Sequence, residues 1–497
     1  MPLFIRTVTH TLIGLAVLGA HPARAQSSDA DVARLVAALL GDTPMIADLQ
    51  RLTDGFGGRA TGSDANRRAV GWALARFQAA GVEARTEPFT MPALWLERSA
   101  RAMVRGAEVG FDPRVAALPF SAGTPASGVA APLLDAGRGD SLALAALGAR
   151  VSGAWLLIQQ DELKDIDGLF REYAESAQIE ARAWRAGALG VVYMGSRANS
   201  LLYRHNMNLG SRNRDHLGVV MERDAALRAL RLLHGGTALS LTAVLDLDRG
   251  PAFQSHNVVG EIRGSVRPDE IVLIGAHFDS WDLGTGALDN GANAMMILDI
   301  ARQMKRLSIR PSRTIRFVLW NGEEQGLVGS MGYTKTHAAE LDQHVMTTSI
   351  DIGTGRITGF FTGGQPEILA AVEQALAPVG GLGPFTQVDI PIVGTDNFDF
   401  MLEGVANLVA NQEAANYGPN YHARSDEFHQ ADQQQLRLNA AIIAGMTLRF
   451  AEMPVTWTRR NRAGVERLVA TTDLRAQMEQ FGLWEDWTSG MRGRKTP

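Results

Sequence analysis

The 497-residue sequence contains no cysteine. That excludes disulfides, thiolate nucleophiles and thiolate metal sites, so a metal held by this chain must take its ligands from His, Asp or Glu. Charge is slightly sparse for a globular chain: 20% of residues are Asp, Glu, Lys or Arg, and the net charge of −5 is spread with both signs mixed throughout. Nothing in that balance favours nucleic acid as a partner. No apolar run beyond the N-terminus is long enough to cross a bilayer, and no internal repeat or long low-complexity segment is found. A G-x-S-x-G elbow accompanied by a suitable His is also lacking, which disfavours a serine hydrolase.

The first residues read "MPLFIRTVTHTLIGLAVLGAHPARAQSS". Arg6 supplies a short positive region, "TLIGLAVLGA" an apolar stretch too short to span, and "ARA" a small-x-small cleavage signal. Residues 1–25 are therefore expected to be a secretory leader, and the mature chain to be exported to the periplasm or beyond the cell, with no membrane partner once the leader is cut.

Four further regions follow from patterning. In 26–124, helices are expected over 30–52 and 64–81, on either side of the glycine-rich "GFGGRATGS". That loop reads as a plain turn, since no strand precedes it and no Lys ends it as a phosphate cradle needs. Residues 125–248 read as a small strand-rich insert, with strands in "SGVAAPLLDAG", "SGAWLLIQQD", "ALGVVYMGS" and "TALSLTAVLDL" and a helix in "FREYAESAQIEARAWRAG". Its polar residues show no ligand spacing. From 249 to 454 strands alternate with helices near 290–307, 326–339, 366–377 and 430–453. The strands there are "EIVLIGAHF", "RTIRFVLW", "HVMTTSID" and "VANLVANQ", and the alternation predicts an α/β domain with a mostly parallel, helix-flanked sheet. Residues 455–497 read as a docking tail without a chemical signal.

The chemistry lies at the ends of those strands. "IGAHFDSWDLGTGALDNGANA" sets His277, Asp279, Asp282 and Asp289 among glycines, directly after an apolar strand. Carboxylates resist burial unless something positive meets them. Glu323 and Glu324 follow the next strand, Asp351 ends a third, and His422 lies in the late loop "PNYHARSDEF". In open α/β sheets such strand ends converge on one crevice. Two zinc ions, each with three protein contacts and an open position, need six contacts. Five residues supply six if one carboxylate bridges, and His277, Asp289, Glu324, Asp351 and His422 fit that count. Charge fits as well, since three carboxylates and a hydroxide offset the four positive charges.

The segments "HFDSWDLGTGALDNGANA", "NGEEQGLVGS", "SIDIG" and "YHARSDEF" together resemble the co-catalytic zinc exopeptidases of metallopeptidase family twenty-eight, in clan MH. "DSWDLGTGALDNGA", "LWNGEEQG" and "GTDNFDFMLEGV" look closest to a secreted dipeptidase subgroup of that family. The resemblance covers about residues 30–453, because "GGRATGS" resembles an N-terminal family motif and the insert a protease-associated domain. It implies the zinc-exopeptidase fold, two Zn²⁺ bridged by Asp289, His277 and Asp351 completing one site, and Glu324 and His422 the other. It further implies Glu323 as general base, Asp279 orienting the His277 ring, and Asp426 in a His-x-x-x-Asp pattern. Many relatives carry Asp where this chain has Asn290, which leaves the five ligands intact. Tyr417 and Tyr421, before His422, are candidate donors to a developing oxyanion, and simple loop packing explains their position equally well. Asp396, in "GTDNFDFMLEGV", is a candidate for the substrate pocket or for the start of a helix. The implied activity is hydrolysis of dipeptides or short peptides from one end, either carboxypeptidase-like or aminopeptidase-like. A peptide substrate and a homodimer are the implied partners.

Overall fold

The computed structural model describes residues 22–206 and 212–495, with side chains 22–28 and 166–167 excepted. Of the leader expected over 1–25, residues 1–21 lie outside the described residues.

A seven-stranded sheet organises the catalytic region. Its spatial order is Glu83–Met91, Phe253–Ile262, Arg313–Trp320, Arg267–His277, His344–Ser349, Asn407–Gln412 and Ile357–Phe361. The four strands from Arg313–Trp320 to Asn407–Gln412 run parallel, and the remaining three pair antiparallel at the flanks. The sheet is thus mixed, where the sequence predicts a mostly parallel one. Two of the parallel strands are apolar where they are most enclosed, in "IVLIGA" and "FVLW", and all eight residues of Arg313–Trp320 are buried, Arg313, Thr314 and Arg316 included. The flanking strand Glu83–Met91 instead carries Glu83, Arg85 and Glu87 and is half-exposed, so no apolar run marks it.

Helices Ala292–Arg306 and Gln433–Glu452 pack together over this sheet, with Pro22–Leu40 laid against the second of them. Asp432 caps Gln433–Glu452, its carboxylate accepting from the Gln435 amide at 2.9 Å. The helix expected over 30–52 is two helices, Pro22–Leu40 and Met45–Phe56, because Gly41 and Pro44 interrupt it. The other predicted helices appear as Asp64–Ala79, Val328–Thr336 and Leu369–Leu376.

A second, eight-stranded sheet runs Gly110–Phe111, Leu94–Arg105, Leu239–Gly250, Val129–Asp135, Trp155–Ile158, Gly190–Met194, Leu217–Met221 and Val115–Ala117. Three of its strands precede residue 125, so the expected boundary between 124 and 125 falls inside this sheet. Leu94–Arg105 escapes a local reading because its partner along its whole length, Leu239–Gly250, is far away in sequence and its outer face is charged.

The C-terminal segment is ordered structure. Helices Arg462–Thr471, Leu474–Phe481 and Trp484–Thr488 share a core with Leu327, Phe398 and Met401 of the catalytic region, and with Leu169 and Tyr173 of helix Ile166–Arg185. Beyond them Arg492 is 3% exposed. Its guanidinium donates to both Asp399 oxygens at 2.9 and 2.8 Å and to the Gly326 carbonyl at 2.6 Å. The pair is buried on both sides, so removing one partner strands the other charge. Arg492→Ala is expected to cost about 3–5 kcal/mol, against under about 1 kcal/mol for Arg475→Ala, whose partner Glu479 is exposed. Denaturant unfolding of both variants measures this; equal midpoints would contradict it.

Candidate metal centre

The carboxyl ends of the parallel strands carry the candidate ligands. His277 is the last residue of its strand, Glu323 and Glu324 lie just past Trp320, and Asp351 lies just past Ser349. Asp289 sits in the turn before helix Ala292–Arg306, and its peptide bond to Asn290 is cis. His422 lies in the loop beyond Gln412 at φ +56°, a left-handed conformation uncommon for a residue with a Cβ. Its carbonyl accepts from the Arg204 amide at 2.9 Å, so the second sheet's region helps to hold it.

These side chains form two buried triads with one shared member: His277, Asp289 and Asp351; and Asp289, Glu324 and His422. His277 Nε2 is 3.1 Å from Asp289 Oδ1 and 2.9 Å from Asp351 Oδ1. His422 Nε2 is 2.8 Å from Glu324 Oε2 and 3.5 Å from Asp289 Oδ2. Despite that closeness, Asp351 Oδ1, Asp289 Oδ2 and both ring nitrogens of His422 lack a hydrogen-bond partner of normal geometry. Buried polar atoms crowded together without bonding one another fit lone pairs aimed at a common cation. The donor set, two imidazoles and three carboxylates, suits zinc. The residues present therefore fit a two-metal site.

The electrostatics call for positive charge. Burial raises Glu324 and Glu323 well above the ordinary carboxylate range, and neighbouring carboxylates add to it. Burial would lower His277, but the Asp351 and Glu323 carboxylates overcome it and hold His277 well above its usual value. Burial pulls His422 down to about 4, leaving the neutral imidazole that a metal requires. Glu323 and Glu324 diverge at a turn in which the Glu323 carbonyl accepts from the Gly326 amide at 2.9 Å. Glu324 accepts from the Trp281 amide at 3.2 Å and faces His422, whereas Glu323 lines a cavity of about 230 Å³ with Oε2 3.9 Å from His277 Nε2.

The surrounding residues fix this arrangement. His277 Nδ1 lies 3.0 Å from the Asp279 backbone carbonyl, and the Asp279 carboxylate stands off at 3.7 Å. The predicted ring-orienting role thus falls to the main chain of Asp279. Its carboxylate instead accepts from Thr61 at 2.9 Å, the Gly322 amide at 3.0 Å and the Glu323 amide at 3.4 Å, tying down the loop that carries both glutamates. Asp426 accepts from the Leu288 and Asp289 amides at 2.6 and 3.1 Å and so seats the shared carboxylate's backbone. Asn290 donates to the Ile350 carbonyl at 2.8 Å, joining that turn to the strand end before Asp351.

The "GGRATGS" loop does more than turn. Arg59, fully buried, donates to the carbonyls of Phe278, Thr285 and Gly286 at 2.9, 2.5 and 3.0 Å, bracing the ligand loop from behind. A buried Arg flanked by glycine and small residues was the available signal. Asp282 pairs with the buried Arg204 at 2.8 Å, and Trp281 packs edge-on to Trp95, so both dock the ligand loop onto the second sheet.

Tyr417 and Tyr421 both line the cavity, and burial raises both well above the usual phenol value, so each keeps its proton. The Tyr421 hydroxyl lies 2.8 Å from that of Tyr173, and its ring stacks on His422 at 3.7 Å. Tyr417 instead reaches Asp289, whose carboxyl burial would raise but His277 and the Tyr417 hydroxyl hold down. Asp396 is 1% exposed and does not line the cavity, and its side chain makes no cap bond to helix Asn397–Leu402. Asp396 stands immediately before helix Asn397–Leu402, as the helix-start reading expects, while its neighbour Thr395 faces the cavity and bonds Asp351.

A helix-flanked mixed sheet with two triads sharing a carboxylate at its carboxyl edge defines the class, a metallopeptidase-type α/β fold. Residues 257–447 match the family model of Peptidase family M28. Carboxypeptidase Q of Rattus norvegicus is 34% identical over 203 residues, 41% of this chain and 43% of the relative, so the match spans under half the length of that relative. Carboxypeptidase Q of Homo sapiens is 28% identical over 429 residues, 82% of this chain and 84% of the relative. Carboxypeptidase Q is the subgroup that the sequence segments resemble. Among solved structures, a Peptidase M28 precursor from Shewanella amazonensis superposes with a TM-score of 0.78 at 26% identity, covering 86% of this chain and 98% of that one. A zinc aminopeptidase from Bacillus subtilis shares the fold, with a TM-score of 0.64 at 20% identity over 81% of this chain and 93% of that one. No helix among the described residues is long and apolar enough to cross a membrane.

Proposed function

We propose that the chain is an exported di-zinc exopeptidase acting on dipeptides or short peptides, in the manner of carboxypeptidase Q. The observation that carries this reading is the sharing of Asp289 between two buried triads beside a cavity that Glu323 faces. Zinc is supported by the donor set and by the name of the Bacillus subtilis neighbour. Export is supported by the leader-like N-terminal pattern.

In this reading His277 and Asp351 would hold one metal, Glu324 and His422 the second, and Asp289 would serve both. When bound, the pair of ions supplies Lewis-acid polarisation of the scissile carbonyl and activation of water. Glu323 takes the proton from the attacking water and returns it to the leaving amine. Tyr417, nearest the shared carboxylate, donates its hydroxyl proton toward the carbonyl oxygen as charge develops there. Asp279 and Thr61 keep Glu323 in reach. A non-catalytic ectodomain is disfavoured because all five ligands and the base are present.

Unblocked dipeptides should be hydrolysed, activity should vanish on chelation and return with added zinc. Loss of hydrolysis on C-amidation alone marks a carboxypeptidase, and on N-blocking alone an aminopeptidase with the same metals. Hydrolysis indifferent to chelator would contradict the reading. The family resemblance further suggests a homodimer, which sedimentation velocity tests.

A further inference from the structure

The cavity beside the triads is chemically two-ended. His277, Asp289, Asp351 and Glu323 form one end, and the other is apolar. That apolar end is built from three separate parts of the chain. Val409 and Phe361 come from the central sheet, Phe170 and Tyr173 from helix Ile166–Arg185, and Phe481 from the C-terminal segment. Phe481 packs on Tyr173 at 4.8 Å between ring centroids and edge-on to Phe170 at 6.1 Å. Tyr173 bonds Tyr421, and Tyr421 stacks on His422, so an unbroken aromatic row links the C-terminal segment to a candidate metal ligand.

Two observations point to a ligand here. Phe170 is 39% exposed, one of few large apolar side chains left open to solvent among the described residues. Its partner Phe481 is only 3% exposed yet still faces the cavity. An apolar cavity of about 150 Å³ holds benzene. The whole cavity, its acidic end included, measures about 230 Å³, and its apolar part is walled by aromatic rings.

We propose that the C-terminal segment is a specificity element, with Phe481 and Phe170 forming the far wall of a subsite that accepts one large apolar side chain of the peptide. This rests on the peptidase reading above. The carboxylates at one end then meet the peptide bond, and the aromatic wall meets the side chain of the residue next to it. Arg492, latched to Asp399 and to the Gly326 carbonyl just past the glutamates, fixes the segment's end to the same loop.

The test uses the full-length zinc-loaded protein and unblocked dipeptides carrying Ala, Leu or Phe at each position in turn. Phe481→Leu and Phe170→Ala are compared with wild type, together with Phe481→Ala where thermal melting shows it folded. Wild type should prefer Leu or Phe over Ala at one position. Each variant should lower that preference by about 10-fold or more, mainly through KM, because filling an apolar pocket differently changes discrimination by roughly 10–200-fold. Zinc content should stay at the wild-type level. Phe170→Ala keeps the test open if Phe481 variants unfold, since Phe170 is 39% exposed. A Phe-to-Ala preference ratio unchanged in every folded variant, with chelator-sensitive hydrolysis retained, would overturn the proposal and leave the peptidase reading standing. Absence of chelator-sensitive hydrolysis by wild type on all these peptides would overturn the peptidase reading, and the subsite with it.

Discussion

Replacing Glu323 by Gln is expected to lower kcat by a factor of about 10²–10⁴, the usual contribution of a positioned general base, while metal content and fold stay unchanged. The expectation rests on the divergence of the two adjacent glutamates. Glu324 turns toward His422 and takes the Trp281 amide, whereas Glu323 faces the cavity and belongs to neither triad. Gln preserves the side chain's size but cannot accept and return a proton. KM should move little, since the substrate's contacts are elsewhere. Steady-state kinetics with metal analysis of the same sample checks both halves. Near-normal turnover would remove Glu323 from the mechanism, and loss of metal would make it a ligand. Glu324→Gln gives the internal contrast, with metal content expected to fall.

The largest effect is expected at Asp289. Asp289→Asn keeps the side chain's volume and its seat on the amides tied by Asp426. It removes the anionic oxygens that reach His277 on one side, at 3.1 Å, and His422 on the other, at 3.5 Å. Each triad then keeps only two strong ligands, below the three that zinc sites retain when one position stays open. Both metals should be lost together and hydrolysis should drop to background. Asp351→Asn and Glu324→Gln, each in one triad only, should weaken one position and spare the other. Loss of a single metal in Asp289→Asn would show that the carboxylate is not shared.

The sequence disclosed the ligands more fully than their supports, for a physical reason. His277, Glu323 and Glu324 follow strands whose buried stretches, "IVLIGA" and "FVLW", are apolar, and Asp351 follows the fully buried strand His344–Ser349. The strand ends were therefore legible, and with them His277, Glu323, Glu324 and Asp351. What the sequence concealed depends on long-range pairing. Asp282 answers to Arg204, 78 residues away, and Asp399 to Arg492, 93 residues away. No local pattern announces either pair. The flanking strand Glu83–Met91 is hidden because its exposed face carries charge, and Leu94–Arg105 because it pairs far along the chain. Spacing puts Asp279 next to the His277 ring but cannot tell a carbonyl at 3.0 Å from a carboxylate at 3.7 Å. The C-terminal segment looked inert because Phe481 acquires its meaning only from Tyr173 and Phe170, which belong to another part of the chain.

The most direct measurement is the metal content of the purified full-length protein, equilibrated with trace zinc and then freed of excess. Near two zinc ions per chain, falling toward none in Asp289→Asn, is the expected result for two triads joined through one carboxylate. A single tightly held ion per chain, or none, would contradict it.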